Sequence, residues 1–197
     1  MSASDLPPPH SLRILDKLPE GLDAWADRMQ GWYLRRAFLA APLRSRAQLC
    51  HQQCTELDAL EPDALALRLQ VVRESLQRDS AAAKGRLLEA LALVGQLSRR
   101  VLGMRPFPVQ FMGALALHEG WLAEMATGEG KTLTVALAAV LAGFSARPCH
   151  VITANDYLAE RDAQTMRPLF DACGVSVASL NAQVEATQRP CLLYTSP

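Results

Sequence analysis

The spacing of apolar positions changes partway along this chain. From residue 22 to about 102 it is helical, and Leu87, Leu91, Val94 and Val101 fall on one face. Arg99 and Arg100 follow near the predicted C-terminal end, where a helix favours cations, and Gly103 is a suitable stop. Residues 61–78 form a second amphipathic stretch. Beyond residue 119 the apolar residues come in short runs of strand length: GWLAEM at 120–125, HVIT at 150–153, and residues 175–180. The first reads as a short buried strand. Between the runs lie an apolar, Ala-rich helix over 133–144 and an amphipathic helix from Asn155 or Asp156, as cap, to about residue 172. On the second, Leu158, Met166, Leu169 and Phe170 supply the apolar stripe, Glu160, Arg161 and Asp162 can face water, and Gly174 closes the helix. Strands alternating with helices predict a parallel, doubly wound α/β sheet with its ligand at the carboxyl ends of the strands.

The string MATGEGKT at 125–132 lies between the first predicted strand and the helix that follows. Gly128 and Gly130 leave the backbone bare, so consecutive N–H groups can cradle phosphate oxygens. Lys131 can reach the β- and γ-phosphates, the Thr132 hydroxyl can ligate Mg²⁺, and the following helix points its positive dipole end at the phosphates. Met125 stands where the pattern GxxxxGK(S/T) wants its first glycine. Strand, glycine loop and helix in that order are nonetheless the setting the motif requires; the bland alternative is a glycine turn capping a helix.

Three blocks together resemble the SecA family of preprotein-translocation ATPases: LGMRPFPVQ at 102–110, ALHEGWLAEMATGEGKT at 116–132, methionine included, and VITANDYLAERD at 151–162. They cover about residues 87–177 in the family's order and spacing. The resemblance implies a P-loop NTPase of RecA-like, DEAD-type motor fold, an α/β parallel sheet left incomplete here and preceded by an all-helical arm. It implies ATP and Mg²⁺ as ligands. Gln110 is then the glutamine that reads adenine, a role its amide suits with two donors and an acceptor. Met104 and Phe107 pack the purine, with ordinary core packing as the alternative. Thr127, Gly128, Glu129, Gly130, Lys131 and Thr132 hold the phosphates, and Lys131 and Thr132 carry the catalytic load present. Glu129 is placed by its main chain, and its carboxylate is not cast as catalytic base. Pro108 departs from the family's acidic residue and removes a backbone donor.

The chain has 197 residues, half of them hydrophobic, with 20 acidic and 20 basic side chains. That is a soluble globular composition, and zero net charge argues against a dedicated nucleic-acid binder. No apolar stretch reaches spanning length, and Asp5 with Pro7, Pro8 and Pro9 stands where a signal peptide would need basic and then apolar residues. Five cysteines without a framework fit a reducing cytosol. In CHQQC at 50–54 the two cysteines share a helix face, but only His51 stands near as a third ligand, so zinc is not expected.

The predicted organisation is a proline-bearing lead-in over 1–20, a helical arm over 21–86, the motor segment over 87–190 and a doubtful tail, CLLYTSP, over 191–197. Up to about residue 189 the chain follows the family pattern; the tail reads as foreign to a natural sequence that is expected to continue, with a genuine last strand over 193–195 as the alternative. The segment 25–46 mixes Trp25, Trp32, Tyr33 and Phe38 with Arg28, Arg35, Arg36, Arg44 and Arg46. It suits either an anionic membrane surface or, more readily, a helix packed on the motor with solvated arginines. The resemblance implies further partners, the SecYEG channel and unfolded preproteins, and a cytoplasmic protein peripheral to the bacterial inner membrane. It leaves homodimerisation of the complete protein open. A fragment of this kind alone is expected to be inactive in hydrolysis. Two other readings are a DEAD-box-like helicase fragment, opposed by the neutral charge and by the NDYL string at 155–158, and a non-catalytic module that binds the translocon or a complete SecA.

Overall fold

The structure is a computed structural model that describes residues 24–25, 28–29, 40–78, 80–145 and 149–180. By contacts the chain divides into units 1–39 and 40–197. In the first, Ala24, Trp25, Arg28 and Met29 are helical. The lead-in 1–20, the remaining aromatics and Arg35 and Arg36 of the basic segment, and the tail 191–197 lie outside the described residues.

The second unit contains α1 (Ala40–Glu56), a 3-10 turn (Leu57–Ala59), α2 (Pro62–Arg78), α3 (Ser80–Leu102), α4 (Pro108–His118), α5 (Lys131–Phe144) and α6 (Asp156–Ala172). Helix α3 is the spine, with α1, α2, α5 and α6 all packed against it. From Ala90 to Gln96 it is buried on every side, which explains its run of apolar and small residues without a polar face. Leu87, Leu91 and Val94 are buried as the periodicity requires, whereas Val101, on the same face one residue from the helix end, is 41% exposed. On α2, Leu65, Leu69 and Val72 form the inward stripe, and on α1 Leu43, Ala47, Cys50 and Cys54 do the same. Arg44 is exposed and Arg46 pairs with Glu119, so the described end of the basic segment is a packed helix with its arginines outward. Position 86 lies inside α3, so the arm and the motor segment share one continuous helix.

Close helix approach depends on glycine at two places. A Cβ on Gly95 would lie 2.6 Å from Cζ of Phe111, and one on Gly113 would lie 2.7 Å from Cγ2 of Thr134. The first lets the Phe111 ring of α4 reach the backbone of α3, and the second seats α5 on α4.

Helix α6 begins where Asn155 accepts a hydrogen bond from the Leu158 N–H at 2.9 Å, which makes Asn155 rather than Asp156 the cap. It ends in a Schellman motif: Gly174, at φ 65°, donates to the Asp171 carbonyl, and Val175 donates to that of Phe170 at 2.9 Å. Of its predicted stripe, Met166, Leu169 and Phe170 are buried and Leu158 half-buried.

The predicted strands differ from the structure. Segments 121–126, 149–153 and 175–180 carry no regular secondary structure, and no strand occurs among the described residues. Gly120 closes α4 in a second Schellman motif, through Gly120 to Leu117 and Trp121 to Ala116. Leu122 is 98% exposed, so this segment is not a buried strand. Ile152 is 91% exposed. An apolar run has strand propensity, but a strand exists only when neighbouring strands satisfy its N–H and C=O groups. Among the described residues these segments find no such neighbours, and the parallel sheet is not formed there. No described helix is long and apolar enough to cross a membrane.

Candidate functional site

The loop between α4 and α5 has the backbone its glycines require. Gly128 and Gly130 adopt φ 89° and 79°, in the left-handed region that other residues enter at a cost. Gly130 caps α5, and a Cβ there would lie 2.0 Å from Nε2 of Gln110. Any side chain at 130 would therefore collide with Gln110 as well as strain the backbone. Met125 is half-buried, its sulfur 3.3 Å from where a Cβ of Gly113 would be, so it anchors the start of the loop on α4.

The loop is closed upon itself. Lys131 donates from Nζ to the Ala126 carbonyl at 3.1 Å, and the Glu129 carboxylate accepts from the Ala126 N–H at 2.8 Å. The ammonium and two loop N–H groups, those of Ala126 and Glu129, thus hold internal partners that a phosphate oxygen could replace. Thr127, Gly128, Glu129 and Lys131 are exposed, and Thr132 is half-buried.

Gln110 is buried and uses both ends of its amide. Its Oε1 accepts from the Phe107 N–H at 2.9 Å, and its Nε2 donates to the Glu129 carbonyl at 3.0 Å. One N–H and one carbonyl lone pair remain for a ligand edge. Pro108 occupies the first turn of α4 behind the cap residue Phe107, a position whose N–H a helix leaves unpaired, so its missing donor is harmless.

Met104, Phe107, Gln110, Gly130 and Thr132 line one cavity of about 640 Å³, together with Arg105, Arg161, Asp162, Thr165 and Met166. Lys131 lines an adjoining cavity of about 800 Å³, and Thr132 borders both. Met104 and Phe107 are 41% and 67% exposed, which removes core packing as their role. Arg161 is exposed and Asp162 half-buried, in keeping with a water-facing position for the first, but sequence reasoning placed neither of them, nor Arg105 and Thr165, at this cavity. Polar residues at helical spacing give no sign that one of their faces borders a cavity.

The residues 103–107 rest on the arm. Arg105 donates to Thr55 Oγ1 at 3.2 Å and pairs with Asp58, which also pairs with Arg99. His51 Nδ1 lies 3.1 Å from the Pro106 carbonyl oxygen, and Ser98 donates to the Met104 carbonyl at 2.8 Å. The Arg105 guanidinium hydrogen-bonded to Asp58 holds its carboxyl below the ordinary 3.8. A carboxyl depressed on folding stabilises fully above its unfolded pKa and loses that contribution as pH falls through the folded value. The stability gap between the parent chain and Asp58→Asn is therefore expected to be constant from pH 7 to about 5 and to close below about 3.8. Urea unfolding of both at pH 7 and pH 3 measures it, and an undiminished gap at pH 3 would refute the ion-pair account.

Cys50 and Cys54 turn to α3, Cys50 reaching the Leu88 carbonyl at 3.6 Å, while His51 turns to Pro106 and the edge of Phe111. Burial pushes the Cys50 thiol up to about 12 and that of Cys54 to about 11, so both stay protonated core groups. Among the described residues no three His, Cys, Asp or Glu side chains converge as a metal site.

Comparison with known proteins adds to this geometry. The family model described as the SecA DEAD-like domain matches residues 32–195. The chain is 48% identical over 178 residues to Protein translocase subunit SecA 2 of Magnetococcus marinus, covering 90% of this chain and 27% of that protein. It is 40% identical over 174 residues to Protein translocase subunit SecA 2 of Chlorobium chlorochromatii, covering 88% and 26%. With Protein translocase subunit SecA of Alcanivorax borkumensis the identity is 56% over 97 residues, 49% of this chain and 11% of that one. The chain thus spans about a quarter of the length of the two SecA 2 relatives.

Proposed function

Since the chain belongs to the SecA DEAD-like domain family, with its helicase-type motor fold, we propose that it is the nucleotide-binding N-terminal part of a SecA-type ATPase motor. The complete protein would couple ATP turnover to moving unfolded preproteins through the SecYEG channel, as a cytoplasmic protein on the anionic inner surface of the inner membrane.

The observation that carries the nucleotide reading is the gathering of Met104, Phe107, Gln110, Gly130 and Thr132 around one cavity at the N-terminus of α5. The exposed side chains of Met104 and Phe107 offer soft and aromatic surfaces for a purine face. Gln110 presents its remaining donor and acceptor to the adenine edge. The N–H groups of residues 127–132 take phosphate oxygens, and Lys131 exchanges the Ala126 carbonyl for phosphate. Thr132, at the start of α5, has the hydroxyl that would hold Mg²⁺, which when bound neutralises charge between the β- and γ-phosphates. The left-handed glycines, the absence of room for a Cβ at 130 and the helix N-terminus fit a triphosphate.

Calorimetric titration of the chain with ATP and with GTP, in Mg²⁺, tests this. ATP is expected to bind in preference to GTP, and absence of binding by either would sink the reading. Gln110→Ala is expected to lower the preference for ATP and to weaken ATP itself about tenfold, since amide hydrogen bonds contribute about 0.5–1.5 kcal/mol each. Unchanged selectivity in that variant would remove Gln110 from adenine recognition.

A further inference from the structure

The loop 103–107 carries two of the residues assigned to the purine, yet Met104 and Phe107 are exposed, so burial does not fix their height above the cavity. Its anchors lie elsewhere. Besides Ser98 and the Gln110 side chain, they belong to the helical arm: His51 at the Pro106 carbonyl, Thr55 at Arg105, and Asp58 at Arg105. Asp58 stands in the 3-10 turn after α1 and divides its two oxygens between Arg99, near the end of α3, and Arg105, in the cavity wall. Arg100 also donates to the Leu57 and Leu60 carbonyls, tying the same turn to α3. Part-exposed ion pairs contribute little to global stability, but one carboxylate shared by two planar guanidinium groups fixes geometry well.

We infer that Asp58 is a positioning residue for nucleotide binding, holding the purine loop against the cavity through Arg105 and so linking the arm to adenine affinity. The inference rests on the nucleotide reading above. It makes the arm part of the binding site's frame, although no described arm residue borders the purine cavity.

The test has two arms, both on the whole 197-residue chain. Without nucleotide, amide exchange is measured for Met104, bonded to the Ser98 carbonyl, and for Phe107, bonded to Gln110. Asp58→Asn is expected to speed exchange at both about fivefold, the scale of a part-exposed ion pair, and to leave α5 unchanged, while Asp58→Glu returns it toward the parent rate. In the second arm, Asp58→Asn raises the Kd for ATP about fivefold and leaves that for inorganic tripolyphosphate unchanged. Unaltered loop exchange overturns the inference, as does equal weakening of ATP and tripolyphosphate, which would mark a general structural role. A parent chain that binds neither ligand refutes the nucleotide reading instead. The exchange arm then decides by itself whether Asp58 holds the loop.

Discussion

Replacing Lys131 with alanine is expected to weaken ATP binding by about 10- to 100-fold, the effect of losing a hydrogen bond to a charged group worth about 1.5–3 kcal/mol. The ammonium sits at the first residue of α5, beside the helix's unpaired N–H groups, so its charge adds to a field already favourable to anions. In the structure Nζ donates to the Ala126 carbonyl, a neutral partner that phosphate would outbid electrostatically. Lys131 is exposed, so the folded state should survive the change, with a thermal midpoint close to that of the parent. Calorimetry on the two proteins, with circular dichroism as the folding check, measures both effects. An unchanged ATP affinity would show that the loop at 125–132 is not the phosphate site. In the complete protein, turnover should fall with binding.

Phe111→Ala is expected to cost about 3–5 kcal/mol, a large share of the about 5–15 kcal/mol that typically holds a domain folded. The ring is wholly buried, pressed against Gly95 on α3 and in edge contact with His51 on α1 at 6.4 Å between centroids. It fills the junction of three helices, and α3 cannot collapse into the vacancy without losing its other neighbours. Phe107→Ala, four residues earlier, is the control. That side chain is 67% exposed, so its removal should change stability by less than about 0.5 kcal/mol. Urea midpoints for the two variants give the comparison, and equal losses would contradict the burial pattern.

Those two phenylalanines mark the limit of the sequence. Both lie in the same apolar stretch, and nothing in the spacing says that one fills the core and the other faces the cavity. The helices were legible, because their signals are local. Asn155 as cap, Gly174 as stop and the Ala-rich run of α5 act within a turn or two of the backbone. The backbone of the glycine loop was legible for the same reason: a positive φ at Gly128 and Gly130 is a property of the residue itself. Pro108 is a further case, since a first-turn proline costs a helix nothing.

The strands were not legible in this way. Residues 121–126, 149–153 and 175–180 have the composition of strands, but composition supplies only propensity, and the ladder is a non-local property. Val101 differs for a related reason, because helical phase places a residue on a face without saying whether anything packs there.

By itself, then, the sequence determined the family, the helix ends, the glycine loop and the residue types able to meet a purine and a triphosphate, all set by local backbone physics and motif. Only the tertiary structure decided that Gln110 spends half its amide tying the Phe107 N–H to the Glu129 carbonyl. It also decided that Arg105, Arg161 and Asp162 border the cavity, and that Asp58 on the arm pairs with Arg105 in the loop 103–107. Apart from the Phe107–Gln110 bond, which is a local cap, these pairings join residues far apart in the sequence, where contact depends on how helices pack and side-chain periodicity carries no information.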